Sequence, residues 1–330
     1  MSEDLSVIIP SYNTGAFIGD AVASILNDVP DAEIIIVDDA STDSTMDYLQ
    51  GLHVKTLEVI QLEKNSPGGA GFPSNIGIDK VKREYVAFVD SDDFFYKGYL
   101  SELLKQIKSS GTDICVGGYK LMNTVTHSEA PAFDYERWRA LLKKGPGPQD
   151  KDLYFTLSPE PWRKLYRASL FKQSTVRFPV NGWFNEDYPF HWFCGLSAAN
   201  GISYCDVEKY FHRIDRTGQT TSDFDDRIYF LFDHTQEIID FIQSDRKYKK
   251  YEGDLLHWLL IGSWKLKLLT HEMGEYYDRY RKLLQSFDPD SVSRFKQIAL
   301  PQHVDGYETI LKSATLTELQ DKPHWTPYDE

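Results

Sequence analysis

The chain has 330 residues, 41% of them apolar, and a formal net charge of −14. The length fits about two domains, and the apolar share is enough to bury a core. The acidity argues against nucleic acid as the main partner and against docking on an anionic membrane by charge alone, because both need clustered Lys and Arg.

Cys115, Cys194 and Cys205 are scattered, without metal-ligand or redox spacing, and read as reduced buried thiols. The start, MSEDLSVIIP, lacks the basic and apolar regions of a signal peptide. No run reaches the roughly 18 apolar residues of a membrane span. The expectation is a cytoplasmic protein, with peripheral contact at the inner membrane face left open.

Along the chain, Leu5–Pro10 reads as a buried strand and Gly15–Leu26 as a helix with Phe17, Ile18, Ala21, Val22 and Ile25 on one face. Glu33–Asp38 is a second strand. Ser41–Leu52 is a polar turn and helix, with Ser41, Thr42, Asp43 and Ser44 as candidate caps. Leu57–Leu62 is a third strand, and Ser74–Lys80 a helix after a glycine-rich turn. Tyr85–Asp90 is a fourth strand, followed by a helix at Gly98–Ser109. Repeated β-α units predict an α/β fold with a mainly parallel sheet covered on both faces. Pro131–Pro148 shows little periodicity and reads as a loop or linker. Tyr154–Ser222 is rich in aromatics, and the chain from Asp226 onward is patterned as helices, with a second helical block at Leu255–Leu269. The tail carrying Pro323 and Pro327 reads as irregular.

Two strand ends carry acids: Asp38-Asp39 after EIIIV, and Asp90-Ser91-Asp92-Asp93 after YVAFV. Open α/β sheets bind ligands beyond the carboxyl ends of their strands. Charge placed there is costly unless paired, and Mg²⁺ or Mn²⁺ is a natural partner for carboxylates. The plainer reading makes these acids helix caps and solvated turns.

Four segments together are more specific: SVIIPSYNTG (Ser6–Gly15), IIIVDDASTDS (Ile34–Ser44), GGAGFPSNIGI (Gly68–Ile78) and EYVAFVDSDD (Glu84–Asp93). In this order and spacing they resemble the family-2 inverting glycosyltransferases, which have the A-type nucleotide-diphospho-sugar transferase fold, of the bacterial surface-polysaccharide or wall-polymer type. PWRKLYRASLF (Pro161–Phe171), NEDYPFHW (Asn185–Trp192) and YFHRIDRTGQT (Tyr210–Thr220) resemble the acceptor-side segments.

The resemblance implies a catalytic domain over residues 1–222, with a nucleotide-sugar half at 1–120 and an acceptor half at 150–222. A helical region at 223–330 would follow. It implies that Pro10 and Tyr12 line the base pocket and that Asp39 accepts a hydrogen bond from the nucleobase. Asn75, Asp90, Ser91 and Asp92 would contact the donor. Asp90 and Asp92 would ligate Mn²⁺ or Mg²⁺, with Asp92 the more direct ligand. Ser74 stands where the family often has Arg, which removes a cation from near the donor.

Transfer with inversion needs a carboxylate base for the acceptor hydroxyl. Glu186-Asp187 opens a helix predicted from Tyr188. Neighbours on a helix point about 100° apart, so only one of the two can face the reacting atoms. The family pattern selects Asp187, with Glu186 orienting it or holding the acceptor. The alternative is that both acids complement the helix dipole. His212, Arg213 and Arg216 follow a strand at Lys209–Phe211 and would close on the diphosphate or sit near the metal; the alternative is a solvated loop. Trp162, Trp183 and Trp192 are candidates to stack on a sugar, against a plainer place in the core.

The expected donor is a UDP-linked sugar, and the acceptor a glycan or polyol phosphate. A homo-oligomer through the helical region stays open. A dinucleotide oxidoreductase is discounted, because SYNTGAF replaces G-x-G-x-x-G after the first strand. A sugar nucleotidyltransferase would carry a glycine-rich basic loop there, and a non-catalytic sugar-nucleotide-binding module could lose the acids that are all present here.

Overall fold

The computed structural model describes residues 2–67, 69–144, 151–172, 176–180, 184–215, 226–270 and 273–322. The chain divides into two compact units, Met1–Asp223 and Phe224–Glu330.

The strands of the first unit are β1 (Leu5–Ser11), β2 (Glu33–Asp38), β3 (Leu57–Gln61), β4 (Tyr85–Phe88), β5 (Phe94–Phe95), β6 (Ile114–Val116), β7 (Tyr119–Asn123), β8 (Glu129–Pro131), β9 (Lys164–Arg167), β10 (Ile202–Tyr204) and β11 (Tyr210–Ile214). Its helices are α1 (Ile18–Asp28), α2 (Thr45–Gln50), α3 (Gly71–Lys80), α4 (Tyr99–Ser110), α5 (Tyr135–Leu142), α6 (Ser169–Lys172) and α7 (Asp187–Ser197).

Seven strands form one sheet in the order β10-β6-β9-β4-β1-β2-β3. Pairing is parallel except around β9, which runs antiparallel to β4 and β6. The fold class is the expected one: a mainly parallel α/β sheet. Strands β1 and β2 are buried at every position, as continuous β-branched runs should be when helices cover both faces. Ile18, Ala21, Val22 and Ile25 of α1 bury against that sheet with Leu103 and Ile107 of α4.

A second, four-stranded sheet, β5-β11-β7-β8, was not foreseen. It carries β11 alongside β7, with Tyr210 opposite Tyr119 and His212 opposite Leu121. Part of the segment expected to be a loop is helix α5, which buries Trp138 and Leu141. Two apolar anchors three residues apart suffice for a short helix once tertiary packing supplies the stability. Residues 145–150, with the GPGPQ turn, lie outside the described residues, as does the tail holding Pro323 and Pro327. All three cysteines are free and buried.

The second unit is helical: α8 (Phe230–Gln243), α9 (Glu252–Ile261), α10 (Gly274–Gln285), α11 (Pro289–Ile298), α12 (Pro301–Lys312) and α13 (Leu316–Gln320). Its core gathers Leu256, Leu260, Tyr277, Leu284, Phe295 and Ile310. No described helix is long and apolar enough to cross a membrane.

Candidate active site

The carboxyl ends of β1, β2 and β4 lie side by side, because β1 pairs with both β2 and β4. Pro10 is buried in β1 opposite Val37, whereas Tyr12 just beyond is 48% exposed. Asn13, at φ 52°, turns the chain there and accepts from the Thr42 N–H at 2.8 Å. Asp38 is spent locally, accepting from the Ser41 N–H at 3.0 Å. Asp39, 3% exposed, accepts from the Ser66 N–H at 2.8 Å and the Ser66 hydroxyl at 2.6 Å. It therefore also fastens the chain beyond β3.

Beyond β4 the chain turns sharply, with the Asp93 N–H donating to the Asp90 carbonyl at 3.1 Å. A turn of this kind brings residues i and i+3 together. Asp90, Asp93 and His212 consequently offer ligand atoms within 4.8 Å of one another, a group able to hold a metal ion. Asp93 is fully buried; it accepts from the Arg213 N–H at 2.8 Å and lies 3.0 Å from His212 Nδ1. Burial pushes the Asp90 carboxyl well above its ordinary value, helped by the charges of Asp93 and Asp92 and opposed by His212. Burial disfavours the His212 cation, but the Asp93 carboxylate outweighs it and holds the imidazole at about 9. Crowded carboxylates of this kind, one buried and one half-buried, fit a bound cation. Asp92 is not one of the three; its carbonyl accepts from Arg213 Nη1 at 2.7 Å. Ser91 is buried between them.

Arg213 pairs with Asp20 and lies over the Phe94 ring, 4.6 Å from its centroid, so its guanidinium already ties β11 to α1. Arg216 and Trp183 lie outside the described residues. Trp162 and Trp192 are core residues. Trp162 stacks on Tyr210 at 4.6 Å and on His212 at 5.2 Å, and Trp192 stacks on Phe155 at 4.0 Å. Trp162 thus supports the metal-competent group from beneath.

Asn75, expected at the donor, spends its amide on the backbone of Phe178. It donates to the carbonyl at 2.8 Å and accepts from the N–H at 2.9 Å. Phe178 in turn stacks on Phe190 of α7 at 3.7 Å. Glu186 accepts from the Gly71 N–H at 3.1 Å, at the start of α3. A Cβ on Gly71 would come within 2.8 Å of Glu186 Cγ and 2.9 Å of Phe178 Cβ, so glycine is what permits this approach. Helix α3 and the segment leading into α7 are therefore fastened at two points.

Asn185, at φ 61°, turns the chain into α7, and Asp187 is its first residue. Burial raises Glu186 to about 7, against its backbone hydrogen bonds. Burial, with the charges of Glu186 and Glu160, raises Asp187 to about 8, opposed by Lys164. Asp187 is near enough to Asp90 to add to the latter's shift. A carboxylate tuned close to neutral pH and set beside a cation-competent group can accept a proton from a substrate hydroxyl.

The sequence model of Glycosyl transferase family 2 matches residues 6–186. The chain belongs to that family. Among its relatives is the poly(ribitol-phosphate) beta-glucosyltransferase of Bacillus spizizenii, 32% identical over 228 residues, which are 66% of this chain and 33% of that protein. The poly(ribitol-phosphate) beta-N-acetylglucosaminyltransferase TarS of Staphylococcus aureus is 31% identical over 227 residues, 66% of this chain and 36% of the relative. The aligned part is thus about a third of the length of these relatives. A crystal structure of S. aureus TarS 1-349 in complex with UDP-GlcNAc superposes with a TM-score of 0.73 at 22% identity, covering 94% of this chain and 91% of that one. That likeness shows the A-type glycosyltransferase fold.

Within this family-2 chain, two residues of the metal-competent group have different histories in the sequence. His212 was legible as a candidate near the metal. Asp93 was legible only as one acid of a cluster, although the i, i+3 geometry of a tight turn was the signal that pairs it with Asp90.

Proposed function

We propose that this chain is an inverting glycosyltransferase that moves a sugar from a UDP-linked donor onto a hydroxyl of a polyol-phosphate polymer. The observation that carries the reading is that Asp187, raised to about 8 at the start of α7, is close enough to Asp90 of the partly buried Asp90-Asp93-His212 group beyond β4 to act on its charge. Family membership supports the reaction class. The printed activities of the relatives support the acceptor, and the UDP-GlcNAc held by TarS supports the donor.

In this reading Asp187 takes the acceptor proton as the hydroxyl oxygen attacks the anomeric carbon from the face opposite the departing diphosphate. One displacement with one base inverts the configuration. Tyr12, exposed beyond β1, would pack on the base, and Asp39 would accept from it with the lone pairs that Ser66 leaves. Asp90, Asp93 and His212 would hold Mn²⁺ or Mg²⁺; such an ion neutralises negative charge on the leaving nucleoside diphosphate. Glu186 and Asn75 hold α3 against the base segment, a contact that bears on the geometry between donor and base.

The test is transfer from UDP-GlcNAc and from UDP-glucose to poly(ribitol phosphate), with Mn²⁺ and with chelator. The anomeric proton signals of the product report configuration. The expected outcome is a β-linked product from an α-linked donor, lost in chelator and restored by Mn²⁺. A retained configuration, or full transfer in chelator, overturns the mechanism.

A further inference from the structure

At the end of the large sheet opposite the acids, cations converge. Arg83, Glu84, Arg167, Ala168, Ser169 and Lys172 line a hollow of about 280 Å³. Its place follows from the register. Arg83 and Glu84 directly precede β4, and β9 runs antiparallel to β4 with Arg167 opposite Tyr85. The end of β9 and the start of β4 therefore share one edge, where the Ala168 N–H donates to the Glu84 carbonyl at 2.7 Å. Asp90 comes six residues after Glu84. At about 3.3 Å per residue the hollow stands about 20 Å from the metal-competent group.

Glu84 is engaged by Arg167, whose Nη1 lies 2.6 Å from it. Arg167 is held further by the Tyr85 ring, 5.3 Å from the centroid, and by Asp113, 3.5 Å from Nε. A guanidinium has five N–H donors, so these partners leave some for a ligand. Arg83 and Lys172 are exposed and make no hydrogen bond or ion pair among the described residues. Nearby lysines outside the hollow do have acids: Lys82 pairs with Glu33 and Glu58, and Lys108 with Asp4. In a chain with 50 acids and 36 bases, two cations left beside one another without a carboxylate are the exception. Solvation accounts for their exposure but not for their convergence with Arg167 on one hollow.

The size narrows the ligand. Sites that enclose drug-sized molecules measure roughly 300–1,000 Å³, so this smaller hollow suits one tetrahedral anion and its nearest carbons rather than a nucleotide sugar. An arginine fork matches phosphate oxygens in pairs, and a lysine adds a point charge. The distance from Asp90 sets this anion apart from the diphosphate of the donor. A chain of repeated phosphodiesters, by contrast, reaches both places at once.

We propose that the hollow of Arg83, Arg167, Ser169 and Lys172 binds a phosphodiester of the acceptor polymer at a distance from the point of transfer. The inference rests on the reading of the acceptor as a polyol phosphate, and is independent of which acid serves as base. One phosphate held here keeps the polymer on the enzyme while another unit reaches the acids, which raises the local concentration of acceptor.

The experiment measures binding of poly(ribitol phosphate) to the full chain by calorimetry without donor. The variants are Arg83→Ala with Lys172→Ala, and Arg83→Lys alone. In the double variant the dissociation constant for the polymer should rise by about tenfold or more, the worth of one hydrogen bond to a charged group. Its dependence on salt should flatten, while Arg83→Lys keeps most of the affinity and UDP affinity stays in place. In transfer, KM for the polymer should rise with kcat near wild type. KM for a single ribitol phosphate should not move, because one unit cannot span the two places. Wild-type affinity and KM for the polymer in the double variant overturn the proposal. So does a loss of binding to inorganic phosphate, or to phosphatidylglycerol vesicles, with polymer binding intact; the hollow would then serve a free anion or a membrane surface. If the wild type neither binds the polymer nor transfers to it, the acceptor reading itself fails and the proposal falls with it.

Discussion

Asp187 carries the chemical argument because its surroundings do two things at once. Burial and the acids beside it raise it to about 8, and from the head of α7 it is close enough to Asp90 to act on that carboxyl. Asp187→Asn keeps the size and removes the basic carboxylate. Turnover should fall by about 10²–10⁴, the worth of general-base catalysis, with UDP affinity unchanged by calorimetry. In the wild type the rate should fall as pH drops below the Asp187 midpoint, because protonation removes the base. That limb should be missing from the residual rate of the variant. Wild-type turnover in Asp187→Asn would move the role to another residue, with Glu186 next. Asp39, Asp90 and Asp93 were legible because they stand at the ends of apolar runs, where charge needs a reason, whereas Asp187 was singled out through the resemblance to the family. The contacts of Lys164 and Asn75 were not legible. Their partners, at Glu160 and Phe178, come from backbone carbonyls and turns that carry no sequence signature.

At the scale of elements, β9 is the strand that departs from the parallel pattern; it lies between β4 and β6, starts at Lys164 opposite Val116, and is preceded directly by Arg163. Arg163 is fully buried and pairs with Asp134 at the head of α5, also fully buried. Burial pushes the Asp134 carboxyl up, but the guanidinium more than offsets this and holds it below its ordinary value. Its contribution is therefore present above the ordinary carboxylate range and is lost as pH falls through the lowered value. Asp134→Ala would leave the cation buried without its carboxylate, at a cost of about 3–5 kcal/mol in urea unfolding. The double variant with Arg163→Met should recover most of that loss, since apolar residues often replace a buried pair without penalty. A single-variant cost below about 1 kcal/mol would mean that the Gly117 carbonyl and Ser158 satisfy the arginine by themselves. Sequence periodicity missed α5 for the same reason that this pair matters: the helix is short, and tertiary contacts rather than its own pattern hold it. The β-α alternation over the first hundred residues needed no such help, because each buried strand there is a continuous apolar run.

The whole molecule consists of two units with separate cores, one under the mixed sheet and one among α9 to α12. The family match falls in the first. In the second, the sequence announced helices through their apolar stripes but no chemistry, since a stripe encodes burial and not a ligand. Binding acts by mass action on the unit that holds the ligand. UDP with Mn²⁺ at about 100 times its dissociation constant should therefore stabilise the first unit by about 2.7 kcal/mol. For a unit of this size that is a rise of about 5–10 °C in its melting transition, given about 2–4 °C per kcal/mol. Scanning calorimetry should show that transition move while the transition of the helical unit stays in place. Chelator should remove most of the shift if the Asp90-Asp93-His212 group holds the ion that meets the diphosphate. Substituting Asp93→Asn should do the same without chelator, because it takes one carboxylate from the group while preserving its size. A full shift in both chelator and Asp93→Asn would show that the nucleotide binds without the ion, and would separate the donor recognition proposed for Tyr12 and Asp39 from the acids beyond β4.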